Sequence, residues 1–308
     1  MTVTAKKAPA KVSNKYKGKM VESHSIGSRI ANIIVTLVVI LGALICLLPM
    51  WHVVMSSFSD GFTLLTNKGV TWLPQGGFSL EGYKLIFRDQ SMARGYLNTI
   101  IYVVGTVGLG FVINVIGGYC LSRPTRHQRF MMIFLMITMM FSGGMIPTYM
   151  VFQRLGLVGN RLAVILQEAT MAMYVVIASR AFQSVPHATV ESAELEGAGH
   201  LRVMFQIMFP QCRSLFMVTI LNTFVASWNS WLTASIYMSG DRTKWPVQLV
   251  VNELINNNAN FLETANPNYS RYLVQFAAIV IATVPVIASF LYFQKEIEAG
   301  VIEGGVKG

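Results

Sequence analysis

The sequence predicts an all-α, polytopic membrane protein with six transmembrane helices. Hydrophobic residues make up 53% of its 308 residues and charged residues only 12%, about half of the roughly 25% that soluble domains carry. Mean hydropathy is +0.52. The apolar residues fall into six separate runs, five of them free of charge, and a bilayer-spanning helix needs about 20 such residues. Two soluble domains, which the length alone would suggest, are therefore excluded.

The six runs predict the spans in chain order. The first, residues 30–55, is longer than the 7–15-residue apolar core of a signal peptide and lacks a cleavage site, so we expect a permanent span. Backbone groups in lipid are satisfied only in helices or closed barrels, and these runs exceed the roughly 10-residue strands of a barrel. The fourth run is short and contains one acid. The other five runs are residues 96–122, 130–153, 162–179, 215–238 and 272–294.

Basic residues near the span ends orient the chain. The Lys-rich tail, residues 1–26, is expected in the cytoplasm, together with the loop after the second span, which holds three arginines and no acid. Arg154 and Arg161 in the next loop oppose this orientation. We therefore expect a multi-pass protein of a bacterial inner or plasma membrane. With six spans, both of its termini lie in the cytoplasm. The loops 57–95 and 240–271 lie outside and either connect spans or dock an external partner.

The excess of basic residues does not indicate nucleic-acid binding. The net charge is +10, and seven of the 24 Lys and Arg residues lie in the first 29 positions, opposed there only by Glu22. Nucleic-acid binding requires basic side chains clustered on a folded face, so we expect no nucleic-acid partner. The cysteines Cys46, Cys120 and Cys212 are odd in number and far apart, which argues against a disulfide framework or a zinc site.

The loop between the fourth and fifth spans, residues 184–210, predicts a helix-turn-helix across the cytoplasmic mouth. Ser184 is a suitable helix cap, and Pro186 suits the first helical turn. Three acids should keep the first helix in water, and a second helix should run from residue 201 to 208 before the chain re-enters the membrane. The three acids are Glu191, Glu194 and Glu196.

The first helix of this loop also carries a small apolar strip. Val190, Ala193 and Leu195 form the strip in our interpretation. Gly197 and Gly199 follow, and glycine either accepts a positive φ or permits close backbone approach. We therefore expect the chain to turn between the two helices at these glycines.

The spacing within this loop resembles the EAA loop of type I ABC importer permeases. That motif reads Glu-Ala-Ala, three residues, Gly, nine residues, Ile-x-Leu-Pro. Here Ser192 replaces an alanine and Phe209 replaces the leucine. A helix that is merely rich in glutamate would not explain the glycine, isoleucine and proline at these distances. The matching positions are Glu191, Ala193, Gly197, Ile207 and Pro210.

Other segments resemble the carbohydrate-transporting, maltose-permease-like branch of this family. Residues 141–149 are similar to a subgroup associated with complex oligosaccharides. The resemblance extends from about residue 27 to the end and leaves only the Lys-rich tail outside it. The remaining segments that carry it are residues 49–59, 96–99, 118–123, 228–229 and 304–308.

The resemblance implies the type I ABC importer permease fold for residues 27–308. It implies that the chain forms half of a pathway for an oligosaccharide or other sugar, with a homologous second permease subunit, two ATP-binding-cassette ATPases and an extracellular or periplasmic solute-binding protein, all in membrane lipid. The chain has no G-x-x-x-x-G-K-[ST] loop, so ATP and Mg²⁺ belong to the ATPases. We expect a transport subunit with no cofactor and no catalytic site. The implied ATPase-coupling residues are Glu191, Ala193, Glu194, Gly197, Gly199, Ile207 and Pro210.

Several polar and aromatic residues within spans are candidates for the substrate pathway. Glu168 either contacts a sugar hydroxyl or a cation, or lies partly wetted near the outer interface; the family has Pro-Gly here, so Gln167-Glu168 departs from its pattern. The others either face the pore, where rings stack on sugars and amides bond hydroxyls, or pack and anchor helices. They are Tyr149, Asn222, Trp228 and Asn229.

Two rival classes of membrane protein are weighed against this interpretation. A secondary transporter would need inverted repeats and a coupling site at the bilayer midplane, which the sequence does not display. A membrane-embedded hydrolase would need a nucleophile with a base, or paired acids, inside its spans, and Glu168 alone cannot supply that. Neither rival would co-purify with an ATPase.

Overall fold

The computed structural model describes residues 26–66, 69–88, 90–256 and 271–305, and every regular element in these ranges is helical. The Lys-rich tail and most of the Asn-rich segment of the last outer loop lie outside the described residues, as do the last three positions of the C-terminal resemblance. The chain divides into two compact units, residues 1–51 and 52–308.

The first unit contains most of helix α1, Ile26–Ser57. The most apolar stretch of this helix has a mean hydropathy of 3.0, and residues 29–51 are exposed on every side. A helix that is apolar all round is matched to a lipid or protein interior rather than to water. The predicted first span is therefore a continuous helix.

The second unit includes the segment between the first two predicted spans, and the described part of this segment is structured. Helices α2, Gly61–Thr66, and α3, Glu81–Arg88, form within it. Asp60 accepts hydrogen bonds from two backbone amides in the first turn of α2, at 3.1 Å each, as helix-capping acids do. Gly82 packs against Leu273, and a Cβ there would lie 3.0 Å from the leucine side chain.

Helix α4, Gln90–Ser122, is the central helix of the second unit. Its 33 residues rise about 50 Å at 1.5 Å per residue, and one face is buried against several later helices. Glycines on that face permit close approach: a Cβ on Gly118 would lie 2.5 Å from the Cβ of Ala178. Small residues commonly allow such packing between membrane helices.

Two of the predicted spans consist of bent helix pairs. Helices α5, Gln128–Met140, and α6, Met145–Arg154, meet at 115°, so the predicted span over residues 130–153 is not one continuous helix. Gly144 lies at the break with a φ of +82°, a conformation that glycine adopts readily. The fourth span is formed by α7, Arg161–Ala169, and α8, Ala172–Gln183, bent by 45°.

The loop helices and the fifth span follow directly. Helix α9 is His187–Leu195, and α12 is Arg213–Trp228. The chain between them bends by 85° where it enters α12. The predicted fifth span over 215–238 is wrong in its second half, because α12 ends at Trp228 and α13, Trp231–Tyr237, is a separate short helix. Between α9 and α12 lie α10, His200–Arg202, a π-helix, Val203–Met208, and α11, Phe209–Gln211.

The last part of the unit closes the fold against α4. A short 3₁₀ turn, Arg242–Lys244, leads to α14, Val247–Asn256, and α15, Arg271–Gly305, is the final long helix. Three helices of the described chain are long and apolar enough to cross a membrane, and three bent pairs bring the total to as many as six. The predicted all-α polytopic fold is confirmed.

Candidate functional site

The predicted helix-turn-helix is present, and its first helix packs by a narrow apolar edge. Val190 and Ala193 of α9 are only 4% and 9% exposed and lie in a core cluster with α8 and the π-helix. Leu195 was predicted to join this strip, but it is 90% exposed. Helix geometry explains the difference, because residues 190 and 193 share a face while residue 195 points elsewhere.

The start of α9 differs from the predicted cap. Pro186 occupies the capping position, with extended backbone angles. The hydroxyl of Ser184 does not cap α9 but donates to the carbonyl of Ala181, at 2.7 Å, within the end of α8. The proline therefore begins α9 through its restricted φ.

The turn after α9 depends on Gly197. Its φ is +83°, its N–H donates to the carbonyl of Glu194 at 3.0 Å, and the N–H of Ala198 donates to that of Ala193 at 3.0 Å. These two bonds form the Schellman motif that ends many helices on a glycine. Gly199 has an ordinary φ of −69° and precedes α10. The predicted turn is therefore made by Gly197 alone.

The residues after the turn anchor the loop on its own chain. Val203, Met204 and Met208 of the π-helix are buried, and Ile207 packs partly buried against the same cluster. Pro210 lies in the short α11, where the chain bends into α12. Leu201 and Phe205 stay exposed. The loop therefore presents acids and apolar side chains outward, while its inner face is fixed to the membrane helices.

The C-terminal end of α4 contacts both arms of this loop. Arg123 forms an ion pair with Glu194, Nη2 to Oε1, at 3.0 Å. The same Nη2 donates to the hydroxyl of Tyr119 at 2.9 Å, and that hydroxyl lies 3.3 Å from Nδ1 of His200. These contacts were not predicted, although Tyr119 and Arg123 belong to the segment 118–123 that carries the family resemblance.

A polar network also joins the opposite end of α4 to the loop between the last two spans. Asn98 donates to the carbonyls of Thr243 and Trp245, at 2.8 and 3.0 Å, and accepts from Nη2 of Arg161 at 2.8 Å. The hydroxyl of Tyr102 donates to the carbonyl of Lys244 at 2.8 Å. Asn98 lies in the segment 96–99 that resembles the family, so this segment bonds the backbone of the loop between the last two spans.

Gln167 and Glu168 at the end of α7 are both bonded to α13. Thr233 donates to Oε1 of Glu168 at 2.7 Å, and the hydroxyl of Tyr237 donates to Oε1 of Gln167 at 3.4 Å. Tyr149 stacks on Tyr237 with 5.9 Å between ring centroids. A cavity of about 270 Å³ lies beside these pairs. Its polar lining comes from Ser142, Thr148, Gln167, Thr233 and Tyr237.

Glu168 and Tyr149 thus lie next to this cavity without lining it, each contacting a residue that does. Asn222 and Asn229 are exposed, as pore-facing residues would be. Trp228 is different: it is buried, and its Nε1 donates to the carbonyl of Ala282 at 3.0 Å. The side chain of Trp228 therefore packs within the chain against α15 and does not present an open face to a pore.

Among the described residues, no group of three or more His, Cys, Asp or Glu side chains is placed to hold a metal ion. Cys46 and Cys120 are exposed, and Cys212 is buried with its thiol donating to the carbonyl of Met208 at 3.1 Å.

Comparison with known proteins identifies the family. Residues 106–303 match the model of the binding-protein-dependent transport system inner membrane component. The polygalacturonan/rhamnogalacturonan transport system permease protein YtcP of Bacillus subtilis is 31% identical, over 86% of this chain and 94% of the relative. The diacetylchitobiose uptake system permease protein NgcG of Streptomyces coelicolor is 27% identical, over 86% and 85%.

A solved structure has the same fold. It is described as a bacterial ABC transporter involved in the import of the acidic polysaccharide alginate, and it is 26% identical with a TM-score of 0.80, covering 89% of this chain and 99% of its own. The chain therefore belongs to the family of inner membrane components of binding-protein-dependent transport systems.

Proposed function

We propose that this chain is the permease subunit of an ABC importer and forms half of the pathway for an oligosaccharide. The family itself operates with a separate binding protein, and the relatives are named for carbohydrate transport. A homologous second permease subunit supplies the other half, and two ATPase subunits bind below. The observation that carries the proposal is the exposed helix-turn-helix fixed by its inner face to the membrane helices.

We assign the chain no catalytic role, and ATP and Mg²⁺ to the partner ATPases. No P-loop sequence occurs in its 308 residues. Its contribution is mechanical and selective: it moves with the ATPases and lines the path. An oligosaccharide with many hydroxyls suits a polar path, since each group must exchange water for a protein partner.

Orientation follows from the same assignment. Loop 184–210 must face the ATPases, so it lies in the cytoplasm, with both termini of a six-span chain on that side. The contacts at the two ends of α4 support this assignment of a cytoplasmic and an outer side. One end contacts the loop through Glu194 and His200, and the other contacts the outer segment at residues 243–245.

The coupling residues divide into an outer and an inner set. Glu191 is exposed on α9 and is our primary candidate for the ATPase contact, with Gly197 shaping the turn. Ala193 and Ile207 pack inward, so they position the loop on its own chain. Gly199 and Pro210 mark the two ends of the second arm.

The substrate path is proposed beside the cavity between α7 and α13. Gln167, Thr233 and Tyr237 present polar groups to it, and Glu168 holds Thr233 in place. The exposed Asn222 and Asn229 extend the polar surface along α12. Amides and hydroxyls of this kind are suited to sugar hydroxyls, because they both donate and accept hydrogen bonds.

The test is the Glu191→Lys variant in the reconstituted complex of both permeases, the ATPases and the binding protein. We define stimulated hydrolysis as the rise in ATPase rate when the binding protein and a sugar are added, using oligogalacturonate, alginate oligosaccharide and diacetylchitobiose as probes. Glu191→Lys should leave the complex assembled and lower stimulated hydrolysis by about tenfold or more, as loss of a buried interface charge does.

Thr125→Lys is the matched control, since it adds lysine at an exposed position of the other short loop on that side. It should retain stimulated hydrolysis. Normal stimulated hydrolysis and uptake by Glu191→Lys would reject the coupling assignment. A wild-type complex that no probe sugar stimulates would reject the oligosaccharide assignment.

A further inference from the structure

We propose that Arg123 is a positioning residue that ties both arms of the coupling loop to α4, and that Glu194 acts inside this chain rather than at the ATPase. The inference rests on the proposed coupling role of the loop. It changes the part of Glu194, which is placed among the ATPase-coupling residues from the sequence although it is not a position of the motif.

One nitrogen of Arg123 makes the two central contacts. Nη2 lies 3.0 Å from Oε1 of Glu194 and donates to the hydroxyl of Tyr119 at 2.9 Å. The guanidinium carbon lies 5.0 Å from the centre of the Tyr119 ring, a favourable position for a cation over an aromatic ring. The Arg123 side chain is 20% exposed and that of Glu194 is 43% exposed. The arginine is therefore held in the fold, and the acid reaches inward to it.

Tyr119 extends the connection to the second arm. Its hydroxyl accepts from Arg123, which leaves its own proton available to Nδ1 of His200, 3.3 Å away. His200 is the first residue of α10. The ring of Tyr119 also packs edge-on against Phe182, with 6.0 Å between centroids. Tyr119 is thus fixed on its apolar side and bonded on its polar side.

The two tethered residues stand on either side of the turn. Glu194 is the last residue but one of α9, and His200 follows the turn at Gly197. Only Val190 and Ala193 of α9 are buried, and α10 has no buried residue. The polar links to α4 therefore supply contacts that apolar packing does not provide around the turn, and a displaced turn would pull on α4.

Helix α4 also links this end to the outer loop. It is one helix of 33 residues, and its other end bonds the backbone of residues 243–245 through Asn98 and Tyr102. A rigid helix transmits displacement along its axis, so a tether at Arg123 connects the coupling loop to the outer loop within one element. The role differs from the one proposed for Glu191, which is exposed on α9 and is assigned to the ATPase contact.

A charge-swap cycle in the reconstituted complex tests the proposal. Arg123→Glu and Glu194→Arg should each lower stimulated hydrolysis by about tenfold, and the double variant should recover to within about threefold of wild type, because residues in direct contact are not additive. Arg126→Glu, an exposed arginine on the same short loop, is the charge-matched control and should stay near wild type. Uptake into vesicles is measured in parallel.

The proposal would be overturned if the double variant lost as much stimulated hydrolysis as the two single losses predict together. It would also be overturned if Arg123→Glu did not relieve the loss caused by Glu194→Arg, which is the result expected if Glu194 faced the ATPase. Tyr119→Phe provides a second measurement that keeps the ring but removes the hydroxyl. In an assembled complex it should lower stimulated hydrolysis a few-fold while basal hydrolysis stays unchanged, and unchanged stimulated hydrolysis would contradict the tether. The wild-type complex tests the proposed function separately, because its ATP hydrolysis must be stimulated by the binding protein and sugar whatever the charge-swap variants show.

Discussion

The turn at Gly197 gives the sharpest prediction, because the backbone conformation and the space around this residue can be considered separately. Its φ is +83°, and a Cβ built there meets no atom of this chain within 4 Å. Gly197→Ala would therefore not clash within the chain but would hold alanine in the left-handed region, which costs about 1–2 kcal/mol. That cost corresponds to a roughly 5- to 30-fold smaller population of the turned conformation relative to its alternatives.

The assay is stimulated hydrolysis by the assembled complex, compared among three variants. Gly197→Ala should lose up to about 5- to 30-fold if the turned loop is the form that couples. Gly197→Asn should recover most of that loss, because asparagine tolerates the left-handed conformation. Gly199→Ala is the matched control: its φ is −69° and its surroundings are also open, so the change should stay within about 0.5 kcal/mol.

Two results would refute the backbone argument. If Gly197→Asn is as severe as Gly197→Ala, the loss comes from side-chain size at the ATPase surface and not from φ. If Gly199→Ala is as severe as Gly197→Ala, the loss comes from altered loop composition. Expression and assembly are measured for each variant, so that a change in coupling is separated from a change in yield.

Three further predictions concern α4, α2 and the cavity. Gly118→Ala should lower the free energy of unfolding by about 1–3 kcal/mol, and with it the Tm of the complex, since its Cβ would meet Ala178 at 2.5 Å. A Cβ at Gly108 meets no atom of this chain within 4 Å, so Gly108→Ala should raise the free energy of unfolding by up to about 1 kcal/mol. Hydrogen bonds to Asp60, the largest from the backbone N–H of Thr63, hold the pKa of its carboxyl below the ordinary 3.8. The Tm difference between wild type and Asp60→Ala should therefore be largest above pH 3.8 and vanish as the pH falls through the lowered pKa. A Tm difference that grows in acid would contradict this expectation. Glu168→Gln should alter the uptake rate or the range of probe sugars, and unchanged values for both would remove Glu168 from the pathway.

Hydropathy predicted the number of spans but not their breaks. Residues 130–153 are apolar on both sides of Gly144, and an apolar residue satisfies lipid whether its helix continues or bends by 115°. The adjacent pair of glycines was the available signal, because a positive φ ends a helix. Likewise, α12 ends at Trp228 where Asn229 and Ser230 follow, a polar pair that the charge count treated as part of one run.

The motif identified candidate coupling residues in the loop but not which way they face. Glu191 is exposed while Ala193 and Ile207 pack inward, and the spacing alone does not distinguish contact with a partner from contact with the same chain. Glu194 and Arg123 are 71 positions apart in sequence, so their ion pair required the packing of α8 against α4 to bring them together. Sequence spacing reports faces of one helix; it cannot report which other helix covers them.

Arginines near span ends occur for two different reasons, membrane orientation and helix packing, and a simple count does not distinguish them. Arg161 opposed the predicted orientation, yet it bonds Asn98 at 2.8 Å and so serves the packing of α7 against α4. Arg123 supported the orientation, yet it is committed to Glu194 and Tyr119. Once both are set aside as packing residues, the orientation depends on the Lys-rich tail and on the exposed Arg126 and Arg129. Of the two arginines that opposed the predicted orientation, only Arg154 then remains to be explained, and the N-in, C-in orientation stays a prediction.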